Sequence, residues 1–168
     1  MFGSFRKKVT HQTIDMVRQP YAVFKQNYGI PPGFWQDEFV IGFFGGMIAI
    51  VSQVLGQGRL SQIDKGLLLQ DTFTALSNAN GAALARRFGD LVRQVPQSEA
   101  FKCGGDNAEV VTLAFFGKGT PEGREVIEEA KREAAARGAA RDVGAVATIL
   151  AMRLFVQPLK DRFELSDK

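Results

Sequence analysis

One cysteine and one histidine in 168 residues leave little material for most side-chain chemistry. Cys103 has no second thiol, so an intramolecular disulfide is excluded and a reducing compartment is the expected setting. His11 alone cannot build a metal site of several histidines or serve a Ser-His-Asp triad, and it falls in the segment that reads as least ordered. A Cys103–His11 pair would be two isolated residues rather than a motif. No stretch of alternating apolar and polar residues marks a strand, no repeat recurs at solenoid spacing, and no low-complexity tract interrupts the chain. The mean hydropathy of -0.06 excludes a bundle of membrane helices but allows a single embedded segment. MFGSFRKKVTHQ has basic residues with no apolar run or small-residue cleavage site behind them, so no secretory signal peptide is expected. The cytoplasm is the expected location, with the inner face of a membrane as the alternative.

Charge is small in sum and uneven in place. The chain carries a formal +3, yet residues 1–33 hold Arg6, Lys7, Lys8, Arg18 and Lys25 against Asp15 alone, a net of +4. Residues 1–19 therefore read as a basic N-terminal arm that could approach anionic lipid. No aromatic residues interleave with these cations in the pattern that stacks bases, so a nucleic-acid partner is disfavoured.

What the chain does have is one apolar run. Phe39 to Leu55, FVIGFFGGMIAIVSQVL, is 17 residues without a charge, about 26 Å long as a helix, just short of a bilayer core. On a helix, Gly42, Gly45, Gly46 and Ala49 fall on one narrow side, and Gly42 with Gly46 is a small-xxx-small pair. Each helical glycine costs up to about 1 kcal/mol relative to alanine, so close packing must offset it. VGAVATILAM offers a counterpart, because Gly144, Ala147, Thr148 and Ala151 form a second small stripe. These two helices are expected to approach each other, or one to pair with its own copy. In a membrane reading, Phe34 and Trp35 would sit at the interface.

Turn signals place the other elements. Pro20 is expected to open a helix to about Asn27, stopped by Gly29 and Pro31-Pro32-Gly33, and Phe5 to Arg18 is a helix or an arm. A second helix is expected from Phe34 to Leu55. Ser61 and Asp64 form a capping pair before a segment from Gln62 to Val95, with a break near Asn80. Asp106 and Glu109 cap a further helix to Phe116, and Thr120-Pro121-Glu122 starts one that runs to Arg137 with Glu128–Arg132 and Glu133–Arg137 pairs. The last helix is expected over 142–157, ended or kinked by Pro158.

The sites for chemistry are few. Gly117-Lys118-Gly119-Thr120 resembles fragments of a phosphate loop, and free amides at the following helix start could hold an anion. The spacing is wrong for a Walker loop, because Gly119 separates Lys118 from Thr120 and no glycine lies five positions before the Gly-Lys pair. Asn78 and Asn80, with Gln70 and Lys118, are the candidate polar contacts of an inter-helix pocket, or caps at a break. No metal site or cofactor is expected. The expected architecture is a single all-α domain over 1–168, a bundle of five to seven helices around a central hydrophobic helix at about 34–55. The expected function is a non-enzymatic interaction or regulatory module that binds itself or another protein through Gly42, Gly46, Ala49, Phe34, Trp35, Gly144 and Thr148. The alternatives are docking to a membrane surface through 34–55, and a small-molecule binder or enzyme with an inter-helix pocket.

Overall fold

Local capping chemistry sets most of the helix boundaries. The computed structural model describes residues 2–78 and 80–166, which contain helices and turns and no strand. Seven α-helices pack into one bundle, in agreement with the sequence. They are α1 (Phe2–Tyr28), α2 (Glu38–Gly56), α3 (Gln62–Ser77), α4 (Gly81–Arg93), α5 (Glu99–Phe115), α6 (Arg124–Ala136) and α7 (Val143–Arg162). At α3 the expected capping box is complete: the Asp64 amide donates to Ser61 Oγ at 3.1 Å and the Ser61 amide donates to Asp64 Oδ2 at 3.1 Å. The break near Asn80 is also present. Asn78 ends α3 in the left-handed region at φ 50, and the Asn80 side chain caps α4 by accepting from the Ala83 amide.

Four boundaries differ from expectation. Pro20 lies inside α1 rather than at a helix start, and residues 2–19 are the first half of that helix rather than a free arm. Its stripe Val9, Thr13, Val17, Pro20 and Phe24 is buried on both sides of the proline, which offsets the hydrogen bond the ring removes. Arg6 is tied across to α3 through Asp71 at 3.0 Å. Phe34–Gln36 is a separate 3-10 turn, because extended Asp37 caps α2 by accepting from the Phe39 and Val40 amides. α5 begins at Glu99, capped by Ser98 and well before Asp106, so Cys103, Gly104 and Gly105 are helical. α6 begins at Arg124, because Thr120 Oγ accepts from the Gly123 amide and closes a turn ahead of it. Within α6, Glu133 pairs with Arg137 as expected, but Glu128 pairs with Lys131 at 2.8 Å instead of Arg132.

α2 is the central helix, packed by α1, α3, α4 and α5. Its glycines are spent on α5 and α4. A Cβ on Gly42 would stand 2.3 Å from the Phe101 carbonyl oxygen, and one on Gly104 would stand 2.3 Å from the Phe39 carbonyl oxygen. The two backbones therefore touch reciprocally, which only glycine permits. Further along, Gly46 faces Gly105 and Ala108 of α5, so the two helices run in the same direction. Their starts are linked where Ser98 Oγ donates to Glu38. On another side of α2, Gly45 receives the Phe88 ring of α4, whose nearest atom would lie 2.1 Å from an added Cβ.

The expected partner of α2 was the small stripe of the last helix. That expectation is corrected: Gly144 and Thr148 are exposed, and α7 meets α2 one to two turns later through Phe155, stacked 4.3 Å from Phe43. Pro158 does not end α7 but accompanies a π-turn over Met152–Val156, in which the Gln157 amide reaches back to the Met152 carbonyl. A regular helix would pair the Leu154 carbonyl with the N–H at 158, which proline lacks. Asn107 of α5 supplies the donor, Nδ2 to Leu154 O at 2.7 Å. The wider turn also keeps Ala147, Ala151, Phe155 and Leu159 buried at every fourth position, a spacing that would drift by about 40° per step on a straight helix. Arg162 then closes the bundle on the α2 start, with Nη2 2.7 Å from Asp37 Oδ2.

Three outcomes test this packing. Gly42→Ala or Gly104→Ala should each lose about 3 kcal/mol in chemical denaturation, whereas Gly66→Ala, in open space on α3, should gain up to about 1 kcal/mol. Asn107→Ala should cost about 1 kcal/mol, and less in a Pro158→Ala background that restores an N–H; equal losses in both would refute the compensation. The Ser61 hydroxyl and amide hold the Asp64 carboxyl below the usual carboxylate range, with Arg6 adding to the effect. A depressed folded value gives stability that is present above the unfolded value and lost as pH falls through the folded one. Asp64→Asn should therefore be less stable than the parent above about pH 4, and urea midpoints should converge below it.

Candidate functional site

The residues expected to form an interface do not lie on one surface. Gly42 and Gly46 are spent on α5, while Ala49 is exposed. Phe34 is buried in an aromatic cluster, 5.4 Å from Phe24 and 6.3 Å from Phe163, and half-buried Trp35 lies 5.5 Å from Phe44. The Gly33 turn at φ 80 folds both rings inward, so they offer no exposed aromatic anchor. Gly144 and Thr148 line an open cavity of about 370 Å³ with Gln19 of α1 and Arg137 after α6. Two members of the α7 small stripe thus border a groove, while Ala147 and Ala151 are buried.

The expected polar pocket is likewise divided. Asn78 and Asn80 are the caps of α3 and α4, and the Gln70 carbonyl accepts from Thr74 Oγ at 2.9 Å beside the close approach of Gly81. Short polar side chains at a helix break are used up by its unpaired amides and carbonyls, which is why they gather there. Lys118 belongs elsewhere, on a cavity of about 560 Å³ between the α5–α6 turn, α6 and the start of α7.

That cleft is built from a reversal and two helix starts. Gly117, at φ 67, ends α5, and the Lys118 amide returns to the Leu113 carbonyl at 2.9 Å. Gly119 lies against Ile127, whose Cδ1 would be 3.1 Å from an added Cβ, so the turn rests on α6. Lys118, Arg124 and Arg141 project from three separate elements onto the cavity, and Ala114, Ile127, Val143 and Val146 supply apolar wall. Lys131 is there too, bonded to Glu128, whose carboxyl is held below its usual range first by that hydrogen bond. Asp142 is occupied as the α7 cap, accepting from the Ala145 amide at 3.1 Å. Sequence reasoning singled out Lys118 and missed Arg124 and Arg141. Their signal was position alone: each is a basic residue immediately bordering a helix start that the glycine turn brings together.

His11 is exposed and pairs with Asp15 at 3.4 Å, and Cys103 is exposed on α5. Among the described residues, no three His, Cys, Asp or Glu side chains gather as metal ligands. The buried hydroxyls of Thr10 and Thr112, which lack hydrogen-bond partners, line neither cavity. Among the described residues two helices, α2 and α7, are long and apolar enough to cross a membrane by length and composition, and most of the α2 window is buried inside the protein. Large apolar side chains stand exposed at six described positions, of which three, Ile63, Leu67 and Val92, lie on the α3–α4 hairpin and a fourth, Val95, in the bend just after it. No protein family, curated protein or solved structure matches this chain.

Proposed function

We propose that the chain is a non-enzymatic helical interaction module that self-associates, and that the α3–α4 hairpin is its contact face. The carrying observation is the concentration of exposed apolar side chains on the hairpin and in the bend just after it, with Ile63 77% and Val95 92% exposed. On α3, Ile63 and Leu67 continue the face that carries Gln70 and Thr74, spaced at helical intervals. Gly81 at the start of α4 covers the Gln70–Thr74 end of that stripe, and the Ile63–Leu67 end stays open. Exposed apolar surface of this kind gains by burial against a partner.

A second copy is the occupant the charges favour. Residues 62–95 carry Lys65, Arg86, Arg87 and Arg93 against Asp64, Asp71 and Asp90. Several are already engaged: Arg93 with Asp90 at 2.7 Å, Asp71 with Arg6, and Arg87 with the Gln36 carbonyl. Two such faces can meet about a two-fold axis with little like-charge repulsion. Bilayer docking of α2 would require it to give up its backbone contact with α5, which weighs against the membrane alternative. A cytoplasmic setting goes with this reading, since it keeps the exposed Cys103 reduced.

Sedimentation velocity over a wide concentration range tests the proposal. The parent chain should move from monomer to dimer, and Ile63→Glu with Val95→Glu should raise the dissociation constant by about tenfold or more, roughly 1.4 kcal/mol, with helical circular dichroism unchanged. A parent chain that stays monomeric throughout defeats it.

A further inference from the structure

We infer that the cleft between the α5–α6 turn, α6 and the start of α7 binds a small phosphate-bearing molecule, the phosphate on Lys118, Arg124 and Arg141 and its apolar body against Ile127, Val143 and Val146. This site is separate from the hairpin face and does not depend on self-association.

Charge accounting leads there. The cavity is lined by four basic and two acidic side chains, Lys118, Arg124, Lys131 and Arg141 with Glu128 and Asp142. Glu128 is satisfied by Lys131 at 2.8 Å, and Asp142 by the Ala145 amide at 3.1 Å. That leaves Lys118, Arg124 and Arg141 with no carboxylate partner among the described residues. Some arginines elsewhere do have one: Arg6 with Asp71, Arg93 with Asp90, Arg137 with Glu133, Arg153 with Glu129 and Glu133, and Arg162 with Asp37. The lining holds two more cations than carboxylates, so a bound oxyanion would be stabilised by the excess positive charge.

The shape and the surroundings select the class of anion. A volume of about 560 Å³ matches the range of small-molecule sites, about 300–1000 Å³, and exceeds what a bare inorganic ion would fill. Two guanidinium forks and an ammonium suit a dianionic phosphate, which accepts several hydrogen bonds at once. The apolar wall opposite calls for a carbon body on the same ligand. A long polyanion fits poorly, because Glu122 and Glu125 stand exposed beside Arg124 and would meet its neighbouring phosphates. The α6 start adds to the field: Gly123 gives its first amides no side-chain cap.

Titration calorimetry of the full chain with phenyl phosphate, inorganic phosphate and phenol tests the site. Phenyl phosphate should bind more tightly than inorganic phosphate, phenol should not bind, and added salt should weaken the interaction. Lys118→Ala with Arg141→Ala should weaken phenyl phosphate by about tenfold or more, and Lys118→Glu should abolish it, with helicity intact since both positions are exposed. Absence of phenyl phosphate binding, binding unchanged in the double variant, or equal binding of phenol would overturn the proposal. So would Lys118-dependent sedimentation with phosphatidylglycerol vesicles that neither soluble phosphate competes away, because the anion would then be a lipid headgroup.

Discussion

The backbone contact of α2 with α5 is the constraint on which the rest of the bundle depends. Phe101 presents its carbonyl to Gly42 and Phe39 presents its carbonyl to Gly104, across a gap that a methyl group would overfill. Two helices this close and running the same way place their positive ends side by side, which by itself is unfavourable. The chain answers with Asp37 and Glu38 at one start and Glu99 at the other, and the Ser98–Glu38 bond joins the two. Arg162 then neutralises Asp37 from the far end of the sequence. The placement of α5 also positions Asn107 at the π-turn of α7 and delivers the glycine reversal that carries Lys118. The cleft and the closure of the C-terminus are both downstream of one glycine pair.

Phenylalanine fills what the glycines leave open. Phe24, Phe34, Phe43, Phe44 and Phe155 form a continuous set of ring contacts at 4.3–6.4 Å around the α2 start, and Phe88 occupies the notch at Gly45. Large rings and absent side chains are complementary here. Each helical glycine costs roughly 1 kcal/mol, while each buried ring contributes about 1.5–3 kcal/mol, so burial outweighs the loss of helical propensity.

How far the sequence announced this varies by physical cause. Helix starts set by local hydrogen bonds were legible: Ser61 with Asp64, and Asn80 at the break, cap as their spacing implies. The central position of α2 followed from its lack of charge. The identity of its partner did not, because Gly104 and Gly105 carry the same local signal whether they end a helix or let another helix approach. Only the facing Gly42 distinguishes the two, and it is 62 residues from Gly104 in the chain. Phe34 and Trp35 read as exposed for a similar reason, since the inward fold depends on Gly33 and on rings contributed by α1, α2 and α7. Of the cleft, Lys118 was visible through its glycines. Arg124 and Arg141 join it only when α6 and α7 pack, a tertiary fact with no local pattern.

The π-turn of α7 is equivalent to one retained extra residue. Removing a residue between Met152 and Val156 would straighten the helix and rotate everything beyond it by about 100°. Leu159 would leave the core and Arg162 would swing off Asp37 together, because both lie on the same rigid last turns. Length in this short segment is therefore under tighter control than composition: side chains there have alternatives, whereas the number of residues does not.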